Sequence, residues 1–340
     1  MAKRPLALVL GDINRDLFVR LRSFPRRGRD NPAETAIRAL GGSAANTAAV
    51  LASLRIPTGV IGRVGQDSEG KALLREMAEA GIQTRAVQRD PERPTGICII
   101  PVTGDGERTL IGVRGANAAL GRDRLVESLD GIRHLHVSGY TLLQPRSRQV
   151  AMEALRTARE KGVTTSLDFG WLAVVNVPGS IRQALAHVSL ALPTAAELRA
   201  AFGIRRLGEA AEKALALGVD QVAATLGAGG CRVFASGLSF RVPPFEARTV
   251  NTCGAGDAFN AGYLYGLLHD ARPQVCGILG NAAGAAAVRS EWLAQALDRA
   301  TLARILLHAE KTALARRLGS ALGEAMALVS GRSSRRRPSS

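Results

Sequence analysis

The run T-C-G-A-G-D-A-F (Thr252 to Phe259) places a carboxylate directly behind three small residues. Gly254, Ala255 and Gly256 let the backbone bend so that successive N–H groups point one way, and the A-F-N-A-G-Y-L-Y-G-L-L that follows has a helical period. Exposed amides at a helix N-terminus attract phosphate. Asp257 stands in the first turn of that helix, where an acid most often serves as a cap or dipole partner worth up to about 1 kcal/mol. An anion pocket followed at once by an anion calls for a further reason. A base that takes the proton of an attacking hydroxyl beside a transferring phosphoryl group supplies one. Neither G-x-x-x-x-G-K-S/T nor a G-x-G-x-x-G after the first strand occurs, which removes the main support for P-loop and dinucleotide-binding readings.

Further polar residues fall where a sheet would present them. Leu6 to Leu10 reads as a short buried strand that ends at Gly11 and Asp12, and open α/β sheets bind ligands at that carboxyl edge. Asp16, just beyond, can accept from two vicinal hydroxyls, and Asn46 offers both a donor and an acceptor. On residue type alone the first is equally a loop acid and the second a helix-capping amide. Glu197, in P-T-A-A-E-L, reads by itself as a first-turn helix glutamate.

The elements that must position these groups follow from pattern. Leu17 to Leu40 is polar and Arg-rich, holds Pro25, Gly28 and Pro32, and reads as a surface hairpin or lid; the A-A-N-T-A-A-V-L-A-S-L after Gly41 and Gly42 reads as a helix. I-C-I-I-P-V-T-G-D-G-E-R-T-L-I-G-V is a second hairpin, able to pair with the first in one small sheet. After Asn117, strands such as H-L-H-V-S-G, T-T-S-L-D and Q-V-A-A-T-L-G alternate with helices near Arg148 to Lys161, near Ala195 to Phe202 and after Gly256, which implies βαβ units and a parallel sheet. The last residues, S-G-R-S-S-R-R-R-P-S-S, have no apolar content and read as disordered.

Composition narrows the partners. A net charge of +16 could suit nucleic acid, but arginine is scattered singly, with no basic stripe interleaved with aromatics. A positive field equally favours an anionic nucleotide. The four cysteines lack C-x-x-C spacing or a His cluster, as expected of a reduced, cytoplasmic protein, and no apolar stretch approaches a membrane span. Cys253, at the start of a helix, reads either as a thiol of lowered pKa or as a buried, inert one.

In this company of motifs the chain resembles the ribokinase family, or PfkB carbohydrate kinases, over nearly its whole length. G-G-S-A-A-N-T-A (Gly41 to Ala48) and T-C-G-A-G-D-A-F carry the resemblance. G-D-I-N-R-D, G-R-V-G-Q-D-S-E-G, R-G-A-N-A-A-L and T-L-G-A-G-G support it. It implies a ribokinase-like α/β fold: a doubly wound, mostly parallel sheet flanked by helices, with a small β-sheet lid. Residues 1–318 would form the kinase domain, with lid segments at about 13–40 and 95–115, and 319–340 a C-terminal extension. The resemblance further implies ATP and Mg2+ as cofactors, Asp257 as base, and the Gly254, Ala255 and Gly256 amides as an anion hole. Asn14, Asp16, Gly42 and Asn46 would hold the substrate, Thr225, Gly227, Gly230 and Asn281 the nucleotide, and Glu197 would order Mg2+ through water. Paired lids would make a homodimer.

The departures from that pattern bear on substrate and cations. Asn251 stands where the family has Asp, which argues against a monovalent cation requirement, and Thr194 stands for the Asn of Asn-x-x-Glu. Ser43 replaces the Lys of ribokinases proper, L-L-Q-P (Leu142 to Pro145) falls where they carry a carboxylate, and R-S-E-W replaces a glycine near the adenine rim. The reading is therefore phosphorylation of a hydroxyl on a small sugar or sugar-like compound. A nucleoside kinase is the near alternative, with Phe18 or Phe24 available to stack on a base, and a phosphosugar kinase a further one, since some of those carry Asn at the position of Asn251. A catalytically silent sugar-binding regulator is the distant one, against which the intact G-A-G-D argues.

Overall fold

A computed structural model describes residues 5–104, 107–290 and 297–331. The tip of the second hairpin at 105–106, the second half of R-S-E-W and the arginine-rich tail from 332 lie outside the described residues.

A nine-stranded sheet forms the body. In spatial order it runs β13 (Leu238–Val242), β12 (Cys231–Ala235), β11 (Gln221–Thr225), β10 (Leu190–Leu192), β9 (Thr164–Asp168), β8 (His134–Ser138), β1 (Ala7–Leu10), β4 (Thr58–Gly65) and β5 (Gln83–Asp90). Every pairing from β11 to β5 is parallel, whereas β11–β12 and β12–β13 are antiparallel, so the mostly parallel sheet ends in a hairpin at one edge. β1 is buried along its whole length, as an unbroken apolar run in the middle of a parallel sheet must be. Helices cover both faces. One core packs the helices Ser43–Ser53, Ala255–Leu268 and Pro273–Ala287 against the sheet, and the other packs Pro145–Glu160 and Pro178–Leu185.

The lid is a four-stranded sheet in the order β3 (Thr35–Gly41), β2 (Asn14–Arg20), β6 (Gly96–Val102), β7 (Ile111–Val113). The two sequence hairpins supply β2–β3 and β6–β7, both antiparallel, and join through the parallel pair β2–β6. Its root is tied to the helix Ser68–Glu79. The buried Arg15 guanidinium donates to Glu69 at 2.7 Å and to Glu76 at 2.7 and 3.0 Å. Asp67, the cap of that helix, accepts from the Thr95 amide at 2.7 Å, just before β6.

Beyond Gly319 the chain forms a packed helix, Ser320–Ser330, which buries Ala321, Leu322, Ala325 and Val329 and receives a hydrogen bond from the Tyr265 hydroxyl on the Leu328 carbonyl at 3.1 Å. Its alternation of small and large apolar residues supplies a core stripe that the polar residues after it lack.

Candidate active site

The helix Ala255–Leu268 starts at Gly254, whose φ of 72° only glycine adopts without cost, and Asp257 lies in its first turn. Asp257 Oδ2 accepts a hydrogen bond from Asn46 Nδ2 at 2.8 Å, across 211 residues of sequence. Asn46 is held there by the double glycine before its own helix. Gly42 has φ 88°, and a Cβ on it would lie 2.4 Å from the Asp12 carbonyl; one on Gly41 would overlap the Asp16 carboxylate, about 2 Å away. The two glycines thus let the end of β3 and the start of the helix close around Asp16, which is 8% exposed and has no partner for Oδ1.

Two adjoining cavities collect the remaining candidates. One, of about 420 Å3, is lined by Asn14, Asp16, Gly42, Asn46, Glu197 and Asp257. The other, of about 740 Å3, is lined by Thr225, Gly227, Gly230 and Asn281 together with Ala255 and Phe259. Arg108, Thr194, Thr225, Thr252 and Gly256 line both, so the cavities meet at the glycine-rich loop. All the candidate residues from sequence fall in one cavity or the other. The lid phenylalanines do not: among the described residues neither Phe18 nor Phe24 lines the first cavity, and Phe24 borders a separate surface depression with Arg22 and Thr103.

Burial dominates the electrostatics. It pushes Asp257 up to about 7, the Asn46 hydrogen bond opposing. Asp16 is raised to about 7, first by burial and then by the charge of Asp257, against the pull of Arg15. Asp168, at the carboxyl end of β9, is raised by burial and by the neighbouring Glu197 and Asp257, and the Asn260 side chain hydrogen-bonds it. Glu197 is raised by burial while bonds to Thr194 hold it down. Thr194 caps the helix Ala195–Phe202 in a reciprocal box, its hydroxyl accepting from Glu197 N at 3.1 Å and its amide donating to Glu197 Oε2 at 2.8 Å. Glu197 is thus a helix-capping residue and a cavity residue at once.

Several features differ from the sequence reading or extend it. Cys253 is not activated: burial drives its thiol up to about 11, outweighing the Arg108 guanidinium that hydrogen-bonds it. Removing a thiolate from water costs more here than the helix terminus and the nearby cation return. Asn281 spends its amide on the Val242 and Pro243 carbonyls at 3.1 and 3.0 Å. Asn251 Oδ1 accepts from Cys253 N at 2.9 Å, bracing the glycine-rich loop from within. Asp168, Asn260 and Arg108 went unread in the sequence. Asn260 could have been found one helical turn after Asp257, and Asp168 as an acid ending a strand; Arg108 carries no such signal.

A magnesium ion bound through nucleotide phosphates suits this donor set. Mg2+ keeps waters and takes one or two carboxylates, and Asp168 and Glu197 line the first cavity. Among the described residues no three His, Cys, Asp or Glu side chains form a group able to hold a metal unaided. Among the described residues no helix is long and apolar enough to cross a membrane.

Comparison with known proteins agrees with this geometry. Residues 4–298 match the pfkB family carbohydrate kinases. Arabidopsis thaliana ribokinase is 28% identical over 286 residues, covering 81% of this chain and 74% of that protein. Its structure, complexed with ribose and ATP, superposes with a TM-score of 0.77 at 25% identity, covering 89% of this chain and 99% of that one. An ATP-dependent ribose-1-phosphate kinase of Halopiger xanaduensis is 31% identical over 280 residues, covering 82% of this chain and 90% of that protein. A putative ribokinase II from E. coli, solved with ATP and Mg2+, shares the fold with a TM-score of 0.81 at 18% identity, covering 89% and 99% of the two chains. The match spans nearly the whole chain, and the protein is a carbohydrate kinase belonging to the pfkB family.

Proposed function

We propose that the chain transfers the γ-phosphoryl group of ATP to a hydroxyl of a small sugar or sugar-like acceptor, with Asp257 as the base. The observation that carries this reading is the junction of the two cavities at the Gly254–Gly256 loop, with Asp257 and Asn46 facing the first and Ala255 the second. A hydroxyl seated between Asp16 and Asp257 would give its proton to Asp257 as its oxygen attacks phosphorus, while the loop amides receive the charge that builds on the equatorial oxygens. Asn14, Asp16, Gly42 and Asn46 hold the acceptor; Thr225, Gly227, Gly230 and the backbone around Asn281 border the nucleotide. Asp168 and Glu197 would hold Mg2+, which would supply charge neutralisation on the phosphates. A pKa of about 7 leaves the base partly ionised at neutral pH and able to hold the proton it takes, the match to working pH that general-base catalysis favours.

The deciding experiment is substrate-dependent ADP release over a panel of sugars, sugar phosphates and nucleosides with MgATP. Turnover of at least one class, abolished in Asp257→Asn with nucleotide binding retained, is the expected result. Intact ATP and sugar binding without turnover anywhere would instead establish a silent binder.

A further inference from the structure

We propose that the helices beyond residue 298 build a second ligand site for a small organic monoanion with an apolar body, linked to nucleotide binding through the segment Pro244 to Glu246. The linkage rests on the kinase reading above; the site itself does not.

The match to the family ends at residue 298, and the chain continues into the helices Arg299–Glu310 and Ala313–Leu318. A third cavity, of about 330 Å3, lies between these helices and the segment that follows β13. Its floor is apolar. Phe245, Ile305 and Ala309 are buried members of the core, and Leu314 packs half-buried against it. Ile305, His308 and Ala309 recur at three- and four-residue spacing, so one face of the first helix supplies both floor and an imidazole.

Charge sets the class of ligand. Arg289 and Arg317 line this cavity with Glu246, so two guanidinium groups stand against one carboxylate. Among the described residues the Arg317 and His308 side chains have no hydrogen-bond or ion-pair partner. A carboxylate matches the one surplus positive charge and takes two parallel bonds from a single guanidinium. A phosphate dianion would exceed that surplus beside Glu246, and a wholly polar ligand would leave the apolar floor uncovered. The chain's own R-S-S-R-R-R run (Arg332 to Arg337) fits neither part, being cationic and without apolar residues.

Pro244, Phe245 and Glu246 also line the cavity read above as the nucleotide's, so one short segment is the wall between the two spaces. Bonds from both sides fix its course. Asn281 donates to the Val242 and Pro243 carbonyls from the nucleotide side, and Arg289 donates to the Glu246 carbonyl from the other. A carboxylate that engages the Arg289 guanidinium competes with that last bond and so acts on the wall. A ligand that favours one arrangement of the wall changes nucleotide affinity, and the nucleotide changes the ligand's affinity by the same factor.

Calorimetric titration of the full chain with benzoate and phenylacetate tests this, with benzamide, phenylacetamide and inorganic phosphate as controls. Both carboxylates should bind about tenfold or more tighter than their amides, the range of a charge-assisted hydrogen bond, and tighter than phosphate. Arg317→Gln removes a cation and Ala313→Phe fills the space, both at exposed positions. Each should weaken the carboxylates about tenfold or more and leave turnover without them unchanged. Saturating benzoate should move the Kd of a non-hydrolysable ATP analogue by about fivefold or more, and the analogue should move benzoate's Kd equally. No binding by wild type, binding indifferent to both substitutions, phosphate or amides binding as well as carboxylates, or binding unlinked to the analogue overturns the proposal. An analogue that fails to bind fells the kinase reading and the linkage with it, while the carboxylate titrations still decide whether the site exists.

Discussion

Strands β8 and β9 carry one set of buried titratable groups and end beside a second, and the two are built to opposite ends. Within the strands, His134 and His136 sit across from Thr164 and Ser166; at the carboxyl end of β9, Asp168 opens on the first cavity. The histidine set is closed. Thr164 Oγ1 spends its proton on the Arg133 carbonyl at 2.9 Å, so it accepts from His134 Nδ1 at 2.8 Å. His134 Nε2 must then accept from Ser166 at 2.8 Å, and Ser166 in turn accepts from His136 Nδ1 at 2.7 Å. One proton order satisfies every bond, and burial holds both rings neutral down to about 3. The carboxylate set is open: Asp16, Asp168, Glu197 and Asp257 crowd one space, and Asp16 Oδ1 has no partner. Burial favours the neutral form in both. Only in the second is the polar capacity left unspent, and that surplus is what a ligand can use.

The sharpest way to break this contrast is Asp257→Asn. Turnover should fall by roughly a hundred- to ten-thousandfold, as loss of a general base predicts. Stability should move the other way. A carboxyl whose folded pKa is raised from 3.8 to about 7 favours folding fully only below its unfolded pKa, and that contribution is lost as pH rises through 7. At pH 8 the variant, freed of a buried charge, should be the more stable by on the order of 1 kcal/mol or more, and the gain should shrink by pH 5. Urea midpoints at the two pH values check this. A variant with a third of wild-type turnover removes Asp257 from the chemistry.

The pH profile of kcat/KM comes next. Asp16 and Asp257 face one cavity and titrate as a pair, so the acid limb should break near 7 and fall about tenfold per pH unit below it. A profile flat from pH 8 to 5 would contradict the raised pKa values. The histidines cannot supply that limb. Their depressed pKa makes them neutral throughout, and their stabilising contribution, full above about 6.5, is lost as pH falls toward 3.

Ser166→Ala probes the closed set alone. It strips His134 Nε2 and His136 Nδ1 of their shared partner, which should cost about 1–3 kcal/mol in unfolding free energy. The rate per folded molecule should stay at the wild-type value. A drop in kcat with stability intact would mean that the two sets are coupled through Asp168.

What could be read from sequence follows the same division. Asp257 and its loop were legible because a helix start places them by local geometry alone, and the lid because Pro, Gly and alternating β-formers mark hairpins over short spans. Asn46 could be named as an amide near a helix start, but its bond to Asp257 spans 211 residues and depends on the whole sheet. Asp168 and Arg108 arrive by strand order and lid pairing, which no local pattern encodes. Cys253 stayed undecided between an activated and a buried thiol for a related reason. Its helix terminus was visible and its burial was not, and burial outweighed the dipole.

The smallest effect expected is at Asn251, which braces the loop of the open set as Ser166 braces the closed one. In similar kinases an Asp at this position helps hold a potassium ion beneath the anion hole. Here the amide oxygen accepts from the Cys253 amide at 2.9 Å, so the loop is tied by a neutral hydrogen bond, without the formal charge that supplies most of a carboxylate's attraction for a cation. Activity titrated with potassium chloride at constant ionic strength should therefore rise little or not at all in the wild type. Asn251→Asp should show a steeper curve, because a carboxylate keeps the oxygen that accepts from Cys253 N and adds the missing charge. A strong, saturable potassium requirement in the wild type would mean that the loop depends on an ion after all, and that the Asn251 hydrogen bond does not replace it.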